Sequence, residues 1–398
     1  MKILIVHNDY GAYSGEEAVV DKMASMLPGM GHEVSQLRMS TAGARSSIIG
    51  QMRGFAAGIY SPSGIRAMRR AIATHKPDII NIHNLYPFIS PAALRECRRA
   101  GVPVVMTVHN FRLICPTGLF LRDGRPCELC LQRGNEWGCV RHNCEHSILK
   151  SIGYAARNAA ARLRRDYTDC VDIFACITDF QRRKLIQAGI PADKIVVIPN
   201  SVEVGEDLGR PHSDCGYVAY CGRISREKGV DMIIEVARRN PQIEFRLAGA
   251  VRDKELVSDL PANVKLIGYL SGSDLEKFYA GSRFMVMASR WYEGFPMTIL
   301  EAARHSRPMI APDHGGFTEI LRQSDDSGVN PESAIGVLFE PGDTDALERE
   351  VVQLWENPAQ AAELGNKARL ALETRYSPEA VGSQWQQLIT NRFGSKRL

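Results

Sequence analysis

The sequence contains no run approaching the ~18 apolar residues of a membrane-spanning helix. At its start only the four apolar residues Ile3 to Val6 stand between Lys2 and the polar His7-Asn8-Asp9, so this end reads as a strand rather than an export signal. No G-x-G-x-x-G follows that strand, and the common dinucleotide fingerprint is missing. The basic residues are not interleaved with aromatics, as a base-stacking surface would require, which argues against a nucleic-acid partner. A D-x-D does occur, Asp343-Thr344-Asp345, but it follows Pro341-Gly342 and precedes an apolar-periodic helix. Acids at such a place cap helices, and we do not read this one as a metal site.

What is present suits two domains. The chain has 398 residues, 44% hydrophobic and 24% charged, too long for a typical single core. Its net charge of +4 hides an asymmetry: residues 1–203 carry 26 Lys/Arg against 17 Asp/Glu, the remainder 23 against 28. A basic first half suits an anionic partner such as a membrane surface or a lipid-linked phosphate, or is simply a well-solvated surface. Ten cysteines without an export signal point to a reducing, cytoplasmic setting, with peripheral contact at the inner face of the membrane as an extension.

Strand and helix alternate throughout. Residues 2–6 form a strand, and Ser14-Gly15-Glu16-Glu17 opens a helix, with Gly15 a candidate for close backbone approach to a ligand. A basic, poorly patterned segment covers 43–75. The strand 78–82 leads to His83-Asn84, and the fully apolar strand 103–108 delivers His109-Asn110 at the edge where ligands gather in doubly wound folds. His109 is either a sugar-hydroxyl partner or general acid, or a strand-end histidine bonded to backbone. Residues 111–147 interrupt the alternation with Cys115, Cys127, Cys130, Cys139 and Cys144. The C-x2-C turn at Cys127 and Cys130 and the C-x4-C pair at Cys139 and Cys144 have chelating spacings, and four such ligands would hold a structural zinc. Buried free thiols and redox chemistry are the alternatives. A basic helix near 147–165 reads as a solvated face or a lipid-facing one. The polar, unpatterned stretch 203–214 reads as the interdomain linker.

The second half restarts the pattern. Strand 217–221 ends in Gly222-Arg223, and Glu227-Lys228-Gly229 opens a long helix, placing two cations where a phosphate clamp would stand. The stretch 289–319 reads as loop, helix, strand, glycine turn and helix. Glu293 stands on the loop, Gly294-Phe295 lead to Pro296 as first helical residue, and Met297, Thr298 and Glu301 follow on the helix. The unpaired N–H groups of such a helix start can receive an anion. Carboxylates beside it repel phosphate and suit hydroxyls, or they are unrelated acids at a helix start.

These residues together resemble the retaining glycosyltransferases of family 4, with the GT-B architecture of two Rossmann-like domains. The resemblance rests on Ser14-Gly15-Glu16-Glu17, Thr107-Val108-His109-Asn110, Ile198-Pro199-Asn200-Ser201, Gly222-Arg223 with Glu227-Lys228-Gly229, Glu293 and Glu301, and Gly315-Gly316 with Glu319. His109-Asn110-Phe111-Arg112-Leu113 running into Cys115-Pro116 and Cys127-Glu128-Leu129-Cys130 is similar to a subset associated with polysaccharide assembly. Ser14 departs from the pattern, which often has a second glycine there.

The resemblance implies an α/β fold with an interdomain cleft. It places an acceptor-side domain at 1–205 with its insertion at 111–147, a donor-binding domain at 215–375, and a C-terminal helix at 376–398 packing back on the first domain. It implies a hexosyltransferase-type enzyme moving sugar from a nucleotide diphosphate to a glycan or lipid-linked acceptor, with no catalytic cofactor. Arg223 and Lys228 would bind the pyrophosphate, Glu301 the ribose, and Glu293 the donor sugar. The N–H groups at Phe295, Met297 and Thr298, after Gly294, would hold sugar and phosphate, Gly15 would admit the phosphates, and His109 would face the reacting centre. A sugar-nucleotide epimerase on the same architecture, or a non-catalytic binding module, are the alternatives.

Overall fold

The computed structural model describes residues 1–11, 14–42, 47–323 and 333–394. They form two compact units, one of Met1–Phe120, Glu128–Pro199 and Gly382–Leu398, the other of Leu121–Cys127 and Asn200–Val381. Among the described residues no helix is long and apolar enough to cross a membrane.

In the first unit, β1 (Lys2–Asp9), β2 (Glu33–Ser40), β3 (Ile79–Asn84) and β4 (Val104–Val108) are followed by a hairpin, β5 (Leu121–Arg122) and β6 (Arg125–Pro126), that groups with the second unit. The strands β7 (Ile173–Cys176) and β8 (Ile195–Val197) complete a parallel sheet of order β2-β1-β3-β4-β7-β8. Every residue of β4 is buried, as a strand covered on both faces requires. The connections are α1 (Gly15–Gly29), α2 (Ile48–Ile59), α3 (Pro62–His75), α4 (Leu94–Arg99), α5 (Leu129–Arg133), α6 (Trp137–Arg141), α7 (Ile148–Leu163), α8 (Asp166–Cys170) and α9 (Asp179–Gln187). Ser14, Ser47 and Ser61 cap α1, α2 and α3 by accepting from the N–H groups of Glu17, Gly50 and Gly64.

The segment 43–75 is thus two helices rather than an unpatterned stretch, with 43–46 outside the described residues. Three glycines in α2 (Gly50, Gly54, Gly58) dilute its periodicity, and the helix packs mainly on α7. The basic helix is α7, and it is not simply solvated: Arg157 is only 9% exposed.

The second unit has β9 (Tyr217–Cys221), β10 (Glu244–Ala248), β11 (Val264–Gly268), β12 (Phe284–Val286), β13 (Met309–Pro312) and β14 (Val337–Phe339), all parallel in the order β11-β10-β9-β12-β13-β14. Its helices are α10 (Val230–Arg239), α11 (Gly272–Ala280), α12 (Met297–Ala303), α13 (Gly315–Arg322), α14 (Thr344–Glu356) and α15 (Pro358–Arg375). A last helix, α16 (Pro378–Phe393), passes into the first unit at Gly382; there Gln386 meets His32 at 2.9 Å and Arg392 donates to the carbonyl of Asp193.

The polar stretch 203–214 is a strap on the second unit rather than a free connection. Arg369 donates to the carbonyls of Val204 and Gly205, Ser306 to Asp207, and the fully buried Arg307 to the carbonyl of Arg210 at 2.6 Å. The chain changes unit at Pro199/Asn200, where the sequence shows no break in composition.

Strand order reverses between β1 and β3 in one sheet and between β9 and β12 in the other. In open parallel sheets ligands seat beyond the strand C-termini at such a reversal.

Candidate active site

At the reversal of the second sheet, the loop after β12 and the turn after β9 are locked together. Gly229 has φ +69°, and a Cβ there would lie 1.9 Å from the carbonyl oxygen of Ala288, so only glycine lets the turn come this close. Glu227-Lys228-Gly229 does not open the helix directly: Arg226–Lys228 form a 3-10 turn, and α10 begins at Val230. Arg290 grips Asp231 with both terminal nitrogens at 2.7 Å, fixing the loop to α10.

Within this frame Trp291 is the organising side chain. It is 7% exposed, and both cations stand over its ring, Lys228 at 4.7 Å and Arg223 at 5.4 Å from the centroid. Its Nε1–H donates to Glu293 Oε1 at 2.6 Å, which also accepts from Lys228 Nζ at 2.5 Å and Ser289 Oγ at 3.0 Å. Burial pushes the Glu293 carboxyl up, but the Lys228 charge and the three donors outweigh it and hold the group below its ordinary value. The sequence assigned Lys228 and Glu293 to separate partners; the structure pairs them. Sequence reasoning gave Trp291 no role; an indole donor two positions before the loop carboxylate was the available signal.

Pro296 caps α12 with ψ 101° rather than forming its first residue, and Met297 begins the helix. Thr298 Oγ1 is buried without a hydrogen-bond partner among the described residues. Phe295 is buried beside Tyr376. The carbonyl of Glu293, ahead of Gly294, accepts from Gly316 N at 2.8 Å, so the start of α13 holds the loop. Glu301 accepts from Tyr279 Oη at 2.6 Å; burial raises its carboxyl despite that bond. The D-x-D is a helix cap: Asp343 Oδ1 accepts from Ala346 N at 2.9 Å, and Asp345 pairs with Arg239.

At the reversal of the first sheet, three histidines end adjacent strands. His83 Nδ1 lies 2.7 Å from His109 Nε2, the rings stacked 5.0 Å apart, and His7 stands edge-on to His83 at 6.4 Å. Burial lowers all three, His7 and His109 to about 4, so the rings are neutral near pH 7 and one of the His83–His109 pair donates while the other accepts. His109 is therefore bonded to a side chain, not to backbone as the bland alternative had it. Among the described residues a Cβ at Gly15 would meet nothing within 4 Å.

Among the described residues, the group of metal-type donors lying within 4.8 Å of one another is His7, Asp9 and Glu17. Arg38 Nε already approaches Asp9 Oδ1 at 3.2 Å. The cysteines do not form such a group. Cys127 ends the hairpin segment, while Cys139 is buried and bonded to the Cys144 thiol, with Cys115 and Cys130 near enough to act on it. That bond first, then burial and the neighbouring sulfurs, push the Cys139 thiol well up. The sulfurs that act on Cys139 are those of Cys144, Cys115 and Cys130. Protein contacts also hold the segment: Phe111 and Phe120 pack together, and Arg162 grips Glu136 with two nitrogens at 3.0 Å.

The pattern described as Glycosyltransferase Family 4 matches residues 13–206, and that described as Glycosyl transferases group 1 matches 210–371. A protein of the cps region of Klebsiella pneumoniae is 26% identical over 269 residues, 66% of this chain and 65% of its own length. The alpha-galactosylglucosyldiacylglycerol synthase of Streptococcus pneumoniae is 27% identical over 224 residues, 50% of this chain and 56% of its own. The matched stretches thus span less than two thirds of these relatives. HepE of Anabaena, crystallised with UDP and glucose, superposes with a TM-score of 0.65 at 17% identity, covering 98% of this chain and 100% of HepE. With two doubly wound parallel sheets and family matches running from residue 13 to residue 371, the chain belongs to the family-4-like glycosyltransferases of the GT-B fold.

Proposed function

We propose that the protein moves a sugar from a nucleotide diphosphate to an acceptor hydroxyl, with retention at the anomeric carbon, in polysaccharide or glycolipid assembly. The observation that carries this reading is the group Arg223, Trp291, Lys228 and Glu293 at the reversal of the second sheet. Two cations held over one indole ring suit the two phosphates of a nucleoside diphosphate. As the bond from the anomeric carbon to the diphosphate breaks, they neutralise the charge gathering on the leaving oxygen. When Lys228 turns to phosphate, Glu293 is free to accept hydrogen bonds from the donor sugar. Glu301, beside Tyr279, suits the ribose hydroxyls, and the N–H groups of Phe295, Met297 and Thr298 the sugar and phosphate.

His109, kept neutral by burial, can bond a substrate hydroxyl without adding charge. Burial is the one cause of the His109 shift, with no carboxylate charge acting on it, while Glu16 is bonded to Tyr10 and Asp9 approached by Arg38. We therefore read the new bond as forming on the face the diphosphate leaves, with the acceptor's proton passing to the departing phosphate oxygen. HepE, with UDP and glucose, and the alpha linkage in the name of the Streptococcus relative support this reading.

A thermal-shift panel of nucleotide diphosphate sugars should single out the donor, since ligand at 100 times Kd stabilises by about 2.7 kcal/mol. NMR of the product should show the donor's anomeric configuration. Inversion, or an epimerised nucleotide sugar formed without acceptor, would overturn the proposal.

A further inference from the structure

The first unit has a cavity of about 390 Å³ at its strand-order reversal, bounded by Tyr10, Tyr86 and facing turns of α2 and α7. Its size falls within the roughly 300–1,000 Å³ of small-molecule sites. Arg112 and Arg157 both line it. Arg157 is 9% exposed; its guanidinium lies 4.0 Å from the Tyr154 ring centroid and 4.6 Å from that of Tyr86. Among the described residues it donates to the carbonyl of Pro116 at 2.7 Å and the side-chain oxygen of Asn158 at 3.4 Å, with no carboxylate in ion-pair contact. Among the described residues the buried Nε of Arg112 has no hydrogen-bond partner, and its terminal nitrogen reaches Tyr10 Oη and Asn84 Oδ1 only at 3.4 Å.

The counter-charge nearby is uneven. The Glu16 charge and the Tyr10 hydroxyl favour the Arg112 cation, but among the described residues no carboxylate pairs with Arg157, whose cation burial and the Arg112 charge disfavour. A buried guanidinium without a paired anion, beside a second guanidinium, is costly unless a ligand supplies the charge. Their planar forks, framed by tyrosine hydroxyls, suit phosphate oxygens.

The mouth adds a second feature. Gly58 lies by Arg157, and Phe55 by Gly153 and Tyr154, so α2 and α7 run side by side in one direction with their first turns together. A Cβ at Gly153 would come within 2.6 Å of the Phe55 ring, so glycine permits this contact. Those first turns expose Ile49 (80%) and Met52 (67%) on α2, and Ile148 (53%) and Leu149 (81%) on α7. Single exposed apolar residues are ordinary, but a cluster on adjoining helices marks an interaction surface. Arg53 and Lys150 stand exposed among them, cations at the rim of an apolar patch.

We propose that the acceptor is a phosphate-bearing lipid: its phosphate lies between Arg112 and Arg157, and its hydrocarbon runs out over the apolar first turns of α2 and α7. This rests on the reading of the protein as a sugar transferase and names the class of its acceptor.

The test uses the full chain with three probes, farnesyl phosphate, farnesol and inorganic phosphate, followed by calorimetry. Farnesyl phosphate should bind at least about ten-fold more tightly than either of the others, since each supplies only half of the contacts. Arg157→Gln should remove most of that affinity. Should this variant fail to fold, Met52→Ser with Leu149→Ser, both at exposed positions, should reduce farnesyl phosphate to the affinity of inorganic phosphate. Equal binding of farnesyl phosphate and farnesol, or of farnesyl phosphate and inorganic phosphate, would overturn the proposal. So would full affinity in the surface double variant. UDP binding measured on the same samples separates the two readings: its loss in the unsubstituted chain sinks the transferase and leaves the lipid result standing.

Discussion

At the reversal of the second sheet Lys228 has a carboxylate 2.5 Å away, whereas at the reversal of the first Arg157 has two tyrosine rings and a carbonyl. Each cation sits at the same topological place, beyond the C-terminal ends of parallel strands. The second site keeps its charges paired inside the protein, so a diphosphate must displace Glu293 to reach Lys228. The first leaves its charge open, with aromatic faces holding the guanidinium in position. A paired site is poised to exchange one partner for another; an open one is poised to be filled.

Removing one member of the pair should have the largest effect. Lys228→Ala strips a cation from the leaving diphosphate and leaves Glu293 buried beside Trp291. A loss of about 3 kcal/mol in kcat/KM is expected in a folded protein, read by steady-state kinetics. Unchanged kinetics would remove Lys228 from the donor site.

The neutral histidines of the first unit give the next effect. His7, fully buried, has its pKa lowered to about 4 from 6.5, burial being the main cause. A depressed group contributes stability in full above its unfolded value, and loses it as pH falls from 6.5 toward 4, because the unfolded chain binds the proton first. His7→Phe should therefore reduce the stability lost between pH 7 and pH 5 by about 1–2 kcal/mol, measured by denaturant titration at each pH. An unaltered difference would show that His7 is not buried as a neutral ring.

Trp291→Phe tests what holds the paired site together. It keeps a ring under the cations but deletes the donor to Glu293, and should weaken donor binding by about 1 kcal/mol with a smaller change in kcat. A calorimetric titration with the donor reads it. The smallest effect is expected at Cys127, whose sulfur is not among those acting on Cys139: Cys127→Ser should leave stability and metal content unchanged. One zinc per chain would mean that Cys115, Cys130, Cys139 and Cys144 draw together around a metal.

Much of the second site was legible because its parts sit at strand ends and glycine turns. The order Gly222-Arg223, Glu227-Lys228-Gly229, Glu293 and Glu301 placed the cations, and Pro341-Gly342 before Asp343 identified a cap and not a metal ligand. The pairing of Lys228 with Glu293 was hidden because 65 positions separate them and either residue alone suits a ligand. In the first unit, apolar β4 announced the sheet and His109, but nothing in the spacing of His83 and His109 said that their rings would stack. The basic helix near 147–165 read as a solvated or a lipid-facing surface, and neither reading buries Arg157. Helical periodicity scores a cation as polar wherever it points, and cannot register two tyrosines brought over it from distant or neighbouring turns.

The strap 203–214 has a practical consequence for dissecting the molecule. A fragment of the second unit started at residue 215, the point that composition suggests, would remove the carbonyl of Arg210 from the buried guanidinium of Arg307 and those of Val204 and Gly205 from Arg369. Such a fragment is expected to express poorly or aggregate, with a charged side chain stranded in its interior. One started at Asn200 keeps every one of those acceptors, and is the place to cut when donor binding is to be studied in isolation.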